Sequence, residues 1–462
     1  MSKTFVGIQI GAISFVDEGV EPVLDILQEK AGVNALFISA LSWSYGNAGR
    51  AVYGFPDHGV AEPDNLQGGA FYRPNEAYFQ ATHHKQFAAP DPLTQGFDTL
   101  AEVIPTARQR GMQVYTYYCE TSASGIRPIW QPGAIHFMDR DHWGRVATRP
   151  SLLNPDYRTW WRSVIDDWFS NHELSGMLWG IERQSPLMDI FRADSTTGFD
   201  DHFKAEARAR GIHVERAIAG YQAVDLFLQG VRKGERPRDG VFVSLLRLLL
   251  HHPEVLMWEK MWLDAHRSLY QEIAGAVKWS DPKHQVGYGL WQVINTYNPY
   301  LKAQYDQSDY QHTADFLKPV LYHTPAGARF KNLADTWQKG VLADATPEGA
   351  YNALATILEL DEFIAPYHDA PLAGFKPEYI TRWTQNLIAD TNGKVKVYPG
   401  IGVGVGDGGT SKPITPQECY EGVHAAFEGG AHGVLLSRNY SEATLDCLAA
   451  CGRALRERGL LE

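Results

Sequence analysis

Eight apolar, partly β-branched runs recur along the chain with helical segments between them, and this alternation constrains the fold more than any other feature. The runs cover 5–13, 34–41, 113–119, 177–181, 285–291, 319–323, 394–401 and 433–437. They are apolar on both faces, as expected of strands in a parallel sheet covered by helices. Helical spacing follows most of them; Val23, Leu24, Leu27 and Ala31, for example, lie on one face ahead of Gly32. Eight strands joined by right-handed helical crossovers close into a (β/α)8 TIM barrel of mixed α/β class. The 462 residues accommodate one such domain, 1–462, with extended loops and extra helices. Residues 42–92, rich in Gly, Pro, His and aromatics, break the rhythm and read as an inserted loop or subdomain. Additional helices are expected over about 199–277 and 347–389, and a short one over 309–317.

Composition narrows the function. Lys and Arg number 42 against 54 Asp and Glu, a formal net charge of -12. A phosphate backbone demands clustered cations, so no nucleic-acid partner is expected. The one dense basic stretch, Arg232 to Arg238, is interrupted by Glu235. Four cysteines (Cys119, Cys419, Cys447 and Cys451) are too few for a disulfide scaffold and lack zinc-ligand spacing. With neither a signal-peptide pattern nor a membrane-spanning apolar run, the expectation is a reduced cytoplasmic protein with no membrane partner. The composition is compatible with a homo-oligomer.

In a barrel of this kind the active site lies beyond the C-terminal ends of the strands. The polar and aromatic residues there are Ser42 and Trp43, Glu120, Glu182 and Arg183, Trp291 and Gln292, Tyr322 and His323, Asp407, and Ser437, Arg438 and Tyr440. Glu182 is the sharpest. It stands where a buried strand reaches the mouth, and a partly buried Glu has its pKa raised toward neutrality and serves as a general acid. Arg183 beside it could orient a carboxylate or a substrate hydroxyl; a buried rim pair is the structural alternative. Glycosidic hydrolysis normally needs a second carboxyl group. Asp407, Asp306 and Glu120 are the candidates, Asp407 beyond a glycine-rich stretch and Asp306 downstream of the fifth strand. Trp43 and Trp291 offer stacking faces for a sugar ring, with Arg183, Gln292, His323 and Arg438 as hydrogen-bonding partners. The histidines form no HExxH motif, so no metal and no cofactor are expected. The glycines at 400–409 lack the ending of a P-loop, although with Arg438 they could form a barrel phosphate site.

The tryptophan-bearing fourth strand ending at Glu182, the run Tyr398-Pro-Gly-Ile-Gly402 and the run Gly429-Gly-Ala-His-Gly-Val-Leu-Leu-Ser-Arg438 together resemble bacterial glycoside-hydrolase-like TIM-barrel proteins. The resemblance implies carbohydrate chemistry, with the acid/base carboxylate at Glu182. In related retaining barrels a Glu after the seventh strand is the nucleophile; here the nearest acid is Asp407, several residues farther along. The function expected is a glycoside hydrolase acting on a small sugar or oligosaccharide. A metal-dependent sugar isomerase or epimerase, and a carbohydrate-binding barrel without catalysis, are the alternatives.

Overall fold

The computed structural model describes residues 4–42, 49–50, 57–60, 68–85, 94–119, 133–292, 296–404 and 413–461. Its main sheet is wholly parallel. Going round it, the strands are Lys396–Val397, Phe316–Pro319, Gln285–Leu290, Gly176–Ile181, Gln113–Cys119, Ala35–Ile38, Phe5–Ile10, Gly433–Ser437 and Gly400–Gly402. The two outermost segments are halves of one strand, split at Tyr398 and Pro399. The first half pairs with the sixth strand through Leu317↔Val397, and the second with the eighth through Gly400↔Leu435. A bridge between Val320 and Gly400 joins the sixth strand to the second half as well. The sheet therefore closes on itself as an eight-stranded (β/α)8 barrel.

Alternation along each strand sends every second side chain inward. Phe5, Phe37, Tyr115, Leu178, Phe316, Tyr398 and Leu435 fill the interior. Phe5 stacks on Tyr398 at 4.1 Å between ring centroids, and Phe37 on Tyr115 at 4.7 Å. Glycine makes this density possible at one position in particular: a Cβ on Gly287 would lie 2.0 Å from the Phe316 ring. The lower barrel is thus a packed core and not a pore. Above the rings the interior turns polar, with Gln9, Lys318 and Ser437 all buried and inward-facing.

The covering helices follow the local signals. Val20–Ala31 buries Val23, Leu24, Leu27 and Ala31 and stops at Gly32, whose φ of 65° suits the left-handed cap. Pro155 opens Pro155–Asn171, where its missing N–H costs nothing, and the Asn154 side chain caps the Asp156 amide. Among the described residues five helices (Pro186–Arg192, Asp201–Ala209, Val214–Arg232, Val241–His251 and Glu254–Ser280) stand between the fourth and fifth strands. Pro347–Ile357, Ala370–Ala373 and Glu378–Asp390 lie between the sixth and seventh. One helix is unusually apolar on its outer face: Phe242, Val243, Leu246 and Leu250 of Val241–His251 are all exposed. Among the described residues no single helix is long and apolar enough to cross a membrane.

Two expectations are corrected. The sixth strand is Phe316–Pro319, not 319–323, and His323 begins the helix His323–Gln338. The segment 309–317 holds no regular helix; a 3-10 turn, Gln307–His312, ends before that strand. All four cysteines are free thiols. Within 42–92, residues 49–50 and 57–60 lie against the segments that follow the first and eighth strands, whereas 68–85 run from the end of the second strand to the helix Pro155–Asn171, where the Asn75 and His83 amides donate to Asp167 and Asp156 at 3.1 Å each. Arg50 pairs with Asp17, and His58 sits between Glu18 and the Ala443 carbonyl at 3.0 Å from each.

Candidate active site

Glu182 directly follows the fourth strand and shares the inward register of Leu178 and Gly180. Burial pushes its carboxyl above the ordinary glutamate range. A hydrogen bond involving Cys119 and the fields of Lys318, Arg438 and Arg329 pull the other way. Those four groups come from the third strand, the sixth strand, the residue after the eighth strand and the helix after the sixth. The Glu182 carboxyl, inward by its register at the C-terminal end of the fourth strand, is thus within the field of three cations.

The polar floor beneath is fully connected. Lys318, only 3% exposed, donates to Gln9 Oε1 at 3.0 Å and to the Tyr322 hydroxyl at 2.9 Å. Ser437 Oγ donates to the same Gln9 oxygen at 2.7 Å. The Tyr322 ring carries Lys318 Nζ 5.2 Å from its centroid and the Arg329 guanidinium at 5.5 Å. Gln292 locks Arg329 in place: its Oε1 accepts from Arg329 Nη1 at 3.1 Å while its Nε2 donates to the Tyr322 carbonyl at 3.1 Å. Arg438 is held by Glu442, with Nε 3.0 and 3.1 Å from the two carboxylate oxygens. Trp291, inward with Gly287 and Gly289, lies at the mouth with Arg192 5.8 Å above its ring.

Other residues singled out in the sequence lie elsewhere. Arg183 points away from Glu182, because successive strand residues face opposite sides. It is buried, donates to Thr197 Oγ1 at 3.1 Å and lies 3.6 Å from Asp139. Asp139 in turn accepts from the amides of Gly198, Phe199 and Asp200. Arg183 thus braces the segment after the fourth strand and does not orient Glu182. His323 faces outward into the helix layer, its Cε1 3.5 Å from the position a Cβ on Gly422 would take and beside Ile401 and Ile380. It does not line the mouth. Asp306 caps Gln307–His312 by accepting from the Ser308 amide at 2.9 Å, and these hydrogen bonds lower its pKa. It borders a surface groove of about 360 Å³ with Arg267 and Tyr305, on the side from which the sixth strand starts, and is not brought to Glu182. Trp43, Glu120 and Asp407 lie outside the described residues. Among those described, no cluster of three or more His, Cys, Asp or Glu is arranged to hold a metal ion.

Four groups at the mouth escaped the sequence reading: Gln9, Lys318, Arg329 and Glu442. Gln9 had a signal, a lone amide between Ile8 and Ile10 in a buried strand. Lys318 was obscured by misplacing its strand, and Arg329 and Glu442 sit on helical segments where charge is commonplace.

A closed parallel barrel with a carboxyl group and cations at its C-terminal mouth defines the class at the level of fold: a (β/α)8 barrel protein. Solved structures share the fold. The β-galactosidase of the psychrophilic Marinomonas ef1 superposes with a TM-score of 0.51 and 10% identity, over 99% of this chain and 61% of that one. The β-galactosidase of the haloarchaeon Halorubrum lacusprofundi gives 0.50 and 12%, over 100% and 58%. This chain thus spans about three fifths of the length of those two enzymes. The glycoside hydrolase domain of PgaB (BpsB) from Bordetella bronchiseptica superposes at 0.49 and 12%, over 100% of this chain and 99% of that one. No family model matches the sequence, and no curated protein matches it.

Proposed function

We propose that the chain is a glycoside hydrolase acting on a small sugar or oligosaccharide, with Glu182 as the acid. The observation that carries this reading is one carboxyl group at the end of the fourth strand, turned into the mouth and pushed up by burial. A proton held there is available to a departing glycosidic oxygen, which needs it as the bond lengthens. The barrel shared with hydrolases of that class supports the reading at the level of fold. Trp291 offers the sugar a stacking face. Asp407 or Glu120, in the segments after the seventh and third strands, supplies the second carboxylate that attacks the anomeric carbon or activates water. Asp306 is withdrawn from that role by its position.

Glu182→Gln tests the assignment. The amide keeps the shape and loses the transferable proton. Turnover of a substrate with a poor leaving group is expected to fall by roughly two to four orders of magnitude. A substrate with an activated leaving group should lose less, and sugar binding by calorimetry should survive. A glycoside panel that includes β-galactosides, read by product detection, supplies the substrate. Folded Glu182→Gln with near-wild-type turnover would remove Glu182 from catalysis. Ligand binding with no turnover anywhere in the panel would leave a carbohydrate-binding barrel.

A further inference from the structure

The apolar outer face of Val241–His251 plays no part in the barrel mouth or its chemistry. Phe242, Val243, Leu246 and Leu250 are between 45% and 78% exposed. At the helical repeat they fall within one arc of about 100°. Val241 and Leu245 point the opposite way and are buried. Leu256 and Met257, in the first turn of Glu254–Ser280, are exposed as well. Farther along that helix Glu259 accepts from the Leu187 amide and the Tyr300 hydroxyl, groups that follow the fourth and fifth strands. The start of Glu254–Ser280, and Val241–His251 before it, therefore lie at the mouth end of the barrel.

Cations border this face. From Arg232 to Arg247 there are five Lys and Arg against Glu235 and Asp239, in a chain whose formal net charge is -12. Asp239 pairs with Arg247 at 2.8 Å. Asp344 is committed to the amides of Val241 and Phe242. Lys233, Arg236 and Arg238, just ahead of the helix, are exposed. Arg236 donates to the carbonyls of Val231 and Glu235, and among the described residues none of the three pairs with a carboxylate. An apolar stripe beside unpaired cations matches an anionic lipid surface: the apolar side chains enter the acyl boundary while Lys and Arg stay at the headgroups. A protein partner fits less well. The six apolar side chains together present on the order of 600 Å², short of the ~800 Å² that each partner brings to a stable interface.

We propose that Val241–His251 docks the chain on an anionic membrane surface, with Lys233, Arg236 and Arg238 at the headgroups. The expectation of no membrane partner rested on the lack of a spanning segment, which a surface helix does not need. The docking is independent of the hydrolase reading. Flotation of the full chain with phosphatidylcholine vesicles, with and without phosphatidylserine, tests it. Anionic vesicles are expected to bind at least about tenfold tighter than neutral ones, at about fivefold for each unpaired cation. The preference should shrink as salt is raised. Leu246→Asp combined with Leu250→Asp should abolish binding, with folding checked by circular dichroism. Lys233→Gln, Arg236→Gln and Arg238→Gln together should reduce binding to the level seen with neutral vesicles. No binding of the wild-type chain to anionic vesicles, or equal binding to both kinds, would overturn the proposal. So would unchanged binding in the folded Asp variant. Should that variant not fold, the triple Gln variant decides: an undiminished anionic preference overturns the docking. A wild-type dimer in sedimentation that Leu250→Asp dissociates, with no vesicle binding, would assign the face to a second copy instead.

Discussion

Asp189 shows what burial does to one carboxyl group and how that is felt across pH. It is wholly buried on Pro186–Arg192 and accepts from Arg149 Nη2 at 2.7 Å. Burial raises its pKa to about 7 despite the guanidinium. A raised carboxyl favours the folded state only while it can stay protonated. Its contribution is complete below the ordinary value of 3.8 and is lost as the pH rises through about 7. Asp189→Asn should therefore flatten the pH dependence of Tm between about pH 4 and 7. Parallel Tm curves for variant and wild type, by circular dichroism, would contradict this. Single residues were legible in the sequence where one strand end meets one charge, as at Glu182. They were not legible where the side of the strand decides. Arg183 is adjacent in sequence yet faces Asp139, and His323 is one residue beyond the inward Tyr322 yet lies among helices. Gln292 was read as a sugar contact, but its amide is spent on Arg329 and the Tyr322 carbonyl.

At the scale of elements, Val241–His251 separates inner from outer positions cleanly. Leu245 is 2% exposed and Leu250 78%. Leu245→Ala is expected to cost about 2–5 kcal/mol, through lost transfer energy and the cavity left behind. Leu250→Ala should stay within about 0.5 kcal/mol. Denaturant titrations of the two variants check the contrast, and equal destabilisation would mean that the outer face is covered. Most elements could be read from periodicity alone: the eighth strand, Gly433–Ser437, and the third, Gln113–Cys119, begin and end where their apolar runs do. The sixth could not. Lys318 puts a charge in the middle of Phe316–Pro319, so the apolar pattern reads as starting three residues late. Only the barrel's polar upper interior explains a lysine there.

For the whole molecule, eight strands in sequence already imply a cylinder, but not where it joins. Closure depends on the seventh strand changing partners halfway along, at Tyr398 and Pro399. Pro399 has no N–H to offer a ladder, and the Leu321 amide reaches the Gly400 carbonyl only at 3.4 Å. The first strand, by contrast, is paired over four positions on each side. A cylinder whose staves are unequally joined does not loosen evenly. The split strand is its seam, and transient opening of the wall should start there and not opposite. Deuterium uptake under native conditions should then be faster at the amides of 396–402 than at those of 113–119 and 176–181, because local opening follows the weakest set of backbone bonds. Equal protection around the circumference would show the join to be as tight as the rest. If the seam does breathe, it lies directly beside Lys318, whose side chain packs against Gly400. The wall would then flex at the same place where the mouth holds its deepest charge.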